Sequence, residues 1–251
     1  MLWHAMGAVQ ILSNQDQVIM SLYLWIDLLS ISIPLLASFH PRLKLYQHWK
    51  SLFLAIGISM IPYIIWDIYF TQQGYWGFTD DYLSGIFLLG LPIEEWLFFI
   101  CIPYACVFTH ISLLEINKKL SLDSKLTHII TWILLGTMTI VAIGNFDLAY
   151  TIIDMVFAVV ILALVRIYNA NLLRTFYVTF LFILIPFFLV NGILTGSGIT
   201  DQIVWYNDHE NLGIRLYTIP IEDTVYAFSL ILLNLFLFEK LKKFNIKKIL
   251  D

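Results

Sequence analysis

Charged residues are scarce in this chain. Asp, Glu, Lys and Arg make up 13% of its 251 residues, about half the share typical of soluble domains. With 60% of the residues apolar, a soluble fold is excluded, because a core of this size cannot hide so much hydrophobic surface. The sequence is read as an integral membrane protein. Cysteine is scarce as well. Cys101 and Cys106 fall within one apolar stretch, which excludes a disulfide framework and a Cys-based metal box and leaves them as small buried hydrophobes. There is no basic stripe, which excludes nucleic acid as a partner. Phosphate loops, dinucleotide glycine fingerprints and Ser-His-Asp arrangements are all missing. The six histidines (His4, His40, His48, His110, His128 and His209) do not cluster at ligand spacing. No metal and no resident cofactor is therefore expected, and no residue pattern bears on nucleotide or flavin dependence. Residues 1–19 hold no Lys or Arg, so they lack the positive region of a signal peptide.

Long hydrophobic runs, in contrast, are abundant. A spanning helix needs about 20 mostly apolar residues, and seven runs qualify, roughly at 21–39, 51–71, 83–113, 127–144, 149–167, 175–195 and 212–238. Their continuity excludes the alternating strands of a membrane barrel. The expected fold is all-α and polytopic, with seven transmembrane helices. Apart from Arg215, all of the 14 Lys and Arg residues fall in the first, third and fifth loops or in the tail, on one side of the membrane. The opposite loops carry Asp80, Asp81, Asp201, Asp208 and Glu210. The positive-inside rule then places the N-terminus outside and the C-terminus in the cytoplasm, in the cell membrane.

The chain also repeats itself. "YLWIDLLS" from Tyr23 matches "YTIIDMVF" from Tyr150, and "GIFLLGLPIEEW" from Gly85 matches "GIRLYTIPIEDT" from Gly213. Asp27 precedes Pro92 by 65 residues and Asp154 precedes Pro220 by 66, with Asp67 and Asn191 at corresponding places between. Spans one to three thus recur as spans five to seven. An offset of four spans keeps both halves in the same orientation, as in parallel repeats related by an axis along the membrane normal. Span four returns the chain to the correct side. The expected organisation is a dispensable extension at 1–19, a first repeat at 20–116, a linker with span four at 117–146, a second repeat at 147–240 and a basic tail at 241–251. Both acidic motifs then lie at one depth and face each other across a pseudo-twofold axis.

The acids are the unusual feature. Pro92 and Pro220 suit the first turn of a helix, so spans three and seven are expected to break or kink there, with Glu94, Glu95, Glu222 and Asp223 in the first turn of the inner segment. An acid at the bilayer centre costs about 2.5–3.5 kcal/mol, and a helix N-terminus returns only about 0.3–1 kcal/mol. A purely structural role does not cover that cost. Repulsion and desolvation oppose full ionisation of such a cluster, so part of it is expected to be protonated. A neutral carboxylic acid in an apolar pocket can protonate an apolar substrate, and an ionised neighbour can take a proton back and stabilise positive charge meanwhile. Asp27 and Asp154 taken alone suit either a helix-tying or a functional role. Aromatic residues flank the motifs and could stabilise a cation through their ring faces; Trp66, Trp96, Tyr217 and Tyr226 are the candidates for contacting substrate. For each single ring, ordinary packing is the simpler reading.

The segments "LYLWIDLLSISIPLLASFHPRLKLY", "WDIYFTQQGYWGF", "LPIEEWLFFICIPYACVFTH" and "YNDHENLGIRLYTIPIEDTVYAF" resemble the integral-membrane lycopene β-cyclases. That family comprises heterodimeric bacterial enzymes, fused bacterial and archaeal forms, and the cyclase half of fungal bifunctional phytoene synthases. The resemblance covers about residues 20–240 and fits a fused single-chain form. Thr79 departs from the Asn often found there, and Asn207 stands at the corresponding place in the second half. The resemblance implies an isomerase (an intramolecular lyase) that turns the linear ends of lycopene into β-ionone rings, giving γ- and then β-carotene, with no net redox change. Glu94, Glu95, Glu222 and Asp223 would carry the acid–base chemistry. Asp27, Asp67, Asp154 and Asn191 would orient or relay, and Arg215 would pair with the second motif. Lycopene and membrane lipids are the implied partners. A proton-coupled transporter or a non-catalytic carotenoid-binding protein is the alternative, although little polar lining besides the acids suits a hydrated path.

Overall fold

A computed structural model of the chain describes residues 22–250, with side-chain surroundings up to residue 244. The extension expected at residues 1–19 lies outside the described residues. Six helices account for most of the fold: α1 (Leu22–Ala37), α2 (Trp49–Gln73), α3 (Ile93–Ile116), α4 (Ser124–Gly144), α5 (Ala149–Leu194) and α6 (Ile221–Leu250). Five of them are long and apolar enough to cross a membrane, and α1 is a shorter apolar helix. The protein is thus an all-helical membrane protein. Their outward faces carry exposed apolar side chains such as Ile61, Ile65, Ile140 and Leu181, the pattern of helices immersed in an apolar medium. Capping marks some ends: Asp123 accepts the Leu126 N–H at 2.9 Å to start α4, and Gly74, at φ 69°, ends α2.

Four of the expected spans differ in form. Spans three and seven do not begin at residues 83 and 212; α3 and α6 start immediately after Pro92 and Pro220. The apolar stretch before each proline is a hairpin instead. Strands β2 (Phe87–Leu88) and β3 (Leu91–Pro92) pair, as do β5 (Arg215–Leu216) and β6 (Ile219–Pro220). Proline disfavours helical geometry at its predecessor, and the turns run through left-handed positions at Leu89 (φ 54°), Gly90 (φ 87°) and Tyr217 (φ 63°). The helices therefore start at the prolines rather than kinking there. Spans five and six, expected as 149–167 and 175–195, are joined in α5, interrupted by non-helical geometry at Asn169 (φ −157°, ψ 56°). Arg166 and Arg174 consequently lie on helix, not in a loop. The interruption is tied to α6, where Asn169 Nδ2 donates to Glu239 Oε2 at 2.5 Å and Lys240 Nζ donates to the Tyr168 carbonyl at 3.4 Å.

A third pair of strands, β1 (Trp76–Phe78) and β4 (Val204–Tyr206), runs antiparallel with Gly77 opposite Trp205. It links the segment after α2 to the segment after α5. Between apolar helices in lipid, packing and interhelical hydrogen bonds drive association, each polar bond contributing about 0.6 kcal/mol on average. Ser59 donates to Asn234 at 2.9 Å, and the hydroxyls of Tyr63 and Ser229 meet at 2.7 Å, so α2 is bonded twice to α6. His110 and Thr179 join α3 to α5 at 2.7 Å, and Thr131 and Tyr177 join α4 to α5 at 2.7 Å. Around Trp66 the ring of Tyr63 stacks and those of Phe70, Trp76, Tyr150, Phe157 and Tyr226 pack edge-on or tilted, with centroids 5.1–6.2 Å away.

Candidate active site

Each acidic motif occupies the first turn of its helix, behind a proline and a hairpin. Neighbouring residues on a helix point about 100° apart, so the two acids of a pair face different surroundings. Glu94 is fully buried and turns back to the chain before its hairpin, where Oε1 accepts the Ser84 N–H at 2.7 Å. Glu222 repeats the arrangement: Oε1 accepts the Leu212 N–H at 2.8 Å and the Thr151 hydroxyl at 2.7 Å. These two acids pin the entry loops to the helix starts.

Glu95 and Asp223 point the other way and line one cavity of about 310 Å³. The Tyr23 hydroxyl donates to Glu95 Oε2 at 2.6 Å, and the Asp67 carboxyl is a neighbour of Glu95. Asp223 receives three donors: the Tyr150 hydroxyl on Oδ1 at 2.5 Å, and Asn191 Nδ2 and the Tyr206 hydroxyl on Oδ2 at 2.7 and 3.0 Å. Burial, and after it the Asp223 charge, push the Tyr206 phenol on β4 well above its ordinary pKa, which keeps it a donor. The polar groups come from the ends of elements. The remaining walls are mainly apolar side chains of helix interiors, including Leu29 and Ile33 of α1, Phe98 and Ile102 of α3, Phe187 of α5 and Leu230 of α6; the hydroxyls of Ser30 and Thr109 also border it but are bonded to the Ile26 and Ala105 carbonyls of their own helices. On α3 the lining residues 95, 98, 102, 105, 106 and 109 follow one face at helical spacing.

The other predicted residues separate into three groups. Asp27 and Asp154 are fully buried at matching places in α1 and α5, and neither oxygen of either carboxyl has a hydrogen-bond partner. Asp67 accepts the Trp76 indole N–H on Oδ1 at 2.6 Å. Asn191 is in direct contact with Asp223. Arg215 does not pair with the second motif as expected. From β5 its guanidinium donates to Asp208 at 2.5 Å and to the Thr218 carbonyl at 2.7 Å, and it reaches the site only by lying 5.9 Å over the Tyr206 ring. Of the four aromatics, Tyr226 lines the cavity. Trp66 packs behind it at 5.1 Å between centroids. Trp96 and Tyr217 are not lining residues. Trp96 follows Glu95 on the helix and so faces away from the cavity, donating to the Leu88 carbonyl at 3.1 Å; Tyr217 sits at a hairpin tip, 85% exposed.

Sequence reasoning missed the three phenols Tyr23, Tyr150 and Tyr206. A signal existed for two of them, since Tyr23 and Tyr150 head the repeated "YLWIDLLS" and "YTIIDMVF" segments. Among the described residues, no three His, Cys, Asp or Glu side chains converge as metal ligands.

Comparison with known proteins returns one family. The family model described as lycopene cyclase matches residues 20–113 and 147–241. Each matched segment carries one acidic motif, and the stretch between them holds α4. No curated protein and no solved structure matches.

Proposed function

The chain belongs to the lycopene cyclase family, and on that premise we propose that it closes the linear ends of lycopene into β-ionone rings, with Glu95 and Asp223 as the reacting acids. One observation carries this reading: acids from two separate motifs, with the phenols and amide bonded to them, line a single cavity whose other walls are predominantly apolar. A polyene end group offers no hydrogen bonds, so the apolar walls fix its position while the acids act on its double bonds. Proton addition to the terminal double bond generates a cation. Attack by the neighbouring double bond closes the ring, and loss of a proton restores neutrality, so the reaction is an isomerisation without net redox change. Positioned acid and base groups typically contribute 10²–10⁴-fold each. Tyr226 borders the same cavity, and an aromatic ring beside the reacting end can stabilise the cation. Glu94 and Glu222 act indirectly, by holding the hairpins that aim their neighbours.

A cavity of about 310 Å³ sits at the small end of ligand sites, which run from roughly 300 to 1,000 Å³. It suits one end of a forty-carbon chain. Both acids serve that end, and the second ring closes in a second turnover. The membrane layout we propose has seven spans. At about 1.5 Å per residue, α5, with its 46 residues, is about twice the length needed to cross a hydrocarbon core of roughly 30 Å, and it is interrupted at Asn169. Two parallel three-helix repeats, at 20–116 and 147–240, flank the linker helix α4, with the N-terminus outside and the C-terminus cytoplasmic.

The test is carotenoid analysis of lycopene-producing cells with and without this chain. One-ringed and two-ringed carotenoids are expected only with it. Unchanged lycopene in cells whose membranes contain the inserted protein refutes the proposal.

A further inference from the structure

Resting on the cyclase reading above, we infer that the two motifs have unequal roles: Glu95, with Asp67 beside it, is the proton donor, and Asp223 is the carboxylate that stabilises the cation and takes a proton back. The two halves differ at the positions that decide this. In the second half, both oxygens of Asp223 accept hydrogen bonds, from Tyr150, Asn191 and Tyr206. Three donors directed at one carboxyl favour its ionised form. In the first half only Tyr23 donates to Glu95. Asp67 stands where the repeat has Asn191, and Phe78, with no hydroxyl, stands where aligning Gly85 with Gly213 puts Tyr206. An amide donor is thus replaced by a second carboxyl, and a phenol donor is lost. Trp76 and Thr71 donate to Oδ1 of Asp67, at 2.6 and 3.5 Å, while its Oδ2 receives no donor. The Asp67 and Glu95 carboxyls meet each other, and the pair shares three donors where Asp223 alone has three, so the two hold a proton between them, because both cannot ionise.

The step balances as follows. The O–H bond of Glu95 breaks and a C–H bond forms at the terminal double bond. The electron pair of the next double bond makes the ring-closing C–C bond and leaves a cation in the ring. Asp223 then removes a proton from the adjacent ring carbon, whose C–H pair becomes the ring double bond. Asp223 passes that proton to solvent, and the Glu95–Asp67 pair takes one from solvent before the next turnover, so none is consumed.

Deuterium reports which half fails. Isolated membranes holding equal amounts of full-length protein are given lycopene in D₂O, and product and recovered substrate are analysed by mass spectrometry. The unmodified protein should introduce one deuterium per ring. Glu95→Gln should give neither product nor deuterated substrate. Asp223→Asn should still protonate, so deuterium appears in recovered lycopene or in rings with a displaced double bond. Asp67→Asn, which puts an amide beside an intact Glu95, should lower deuterium incorporation at least tenfold, and Asp67→Glu should retain it. Deuterium in the Glu95→Gln substrate, deuterium in neither motif's variant, or full incorporation by Asp67→Asn overturns the assignment. If the unmodified protein forms no ring at all, the cyclase reading itself fails instead.

Discussion

Glu94 and Glu222 look like catalytic acids in the sequence, yet in the structure each has its Oε1 bound to a backbone N–H. That difference can be measured. Glu94→Gln keeps a carbonyl oxygen for the Ser84 N–H, at 2.7 Å in the unmodified protein. A hydrogen bond to a charged group is worth about 1.5–3 kcal/mol and a neutral one about 0.5–1.5 kcal/mol, so the substitution weakens the contact by about 1 kcal/mol. Removing a buried carboxylate from the membrane interior repays part of that. The expected fall in cyclised product is therefore under about tenfold, against the ~10²–10⁴-fold of an acid–base residue for Glu95→Gln and Asp223→Asn. Glu94→Ala is different, because it leaves the Ser84 N–H without a partner, a penalty of about 1–3 kcal/mol, and the amount of inserted protein should drop. Glu222 holds both the Leu212 N–H and the Thr151 hydroxyl, so Glu222→Gln should be milder than Glu222→Ala, and Thr151→Val should add little once Glu222 is Ala. The assay is the ratio of lycopene to ringed carotenoid at equal membrane protein. If Glu94→Gln and Glu222→Gln are as inactive as Glu95→Gln while inserting normally, all four acids take part in proton transfer and the division within each pair is wrong.

The membrane class and the positions of most helices were legible because apolar runs of spanning length have few other interpretations. The places where the reading erred share a cause. "GIFLLGL" and "GIRLYTI" are apolar enough to pass for helix, but hydropathy does not register that Gly85, Gly90 and Gly213 adopt positive φ or that each stretch runs into a proline. Arg166 and Arg174 suggested a loop, whereas the polar residues there lie on a helix interrupted at the single position Asn169. At the site, the duplication located both acidic motifs and the correspondence of Asp67 with Asn191. It did not separate the acids within each pair, because adjacent residues in a sequence carry no label for the direction they face. Only the rotation of about 100° per residue around an actual helix axis sends Glu95 to the cavity and Trp96 away from it. Tyr206 was unreadable for a further reason. It comes to Asp223 through the β1–β4 pairing, a contact between segments more than a hundred residues apart.

Two further predictions follow from how the halves are joined. Cutting the chain near Ser121, in the segment between α3 and α4, should leave two pieces that restore ringed product when produced together. Leu122 and Arg174 bond in both directions across to α5, at 2.9 and 3.0 Å, so α4 should stay with the second piece; inactivity of two correctly inserted pieces would show that the halves do not associate unaided. The other prediction concerns Gly77, at the centre of β1–β4. The Trp205 indole lies against it so closely that a Cβ would stand 2.4 Å from Cζ2 and 2.7 Å from Cε2, below any real carbon contact. Gly77→Ala must push the indole or the strand away. Overpacking of this kind costs typically 1–3 kcal/mol, and here the displaced strands carry Trp76, bonded to Asp67 at 2.6 Å, and Tyr206, bonded to Asp223 at 3.0 Å. Both motifs should therefore lose alignment together, and ringed product should fall severalfold although no acid has changed. Trp205→Ala removes the obstructing ring, so the double variant should recover most of the product lost in Gly77→Ala. A fully active Gly77→Ala protein, or a double variant no better than the single one, would show that this strand pair does not set the geometry of the acids.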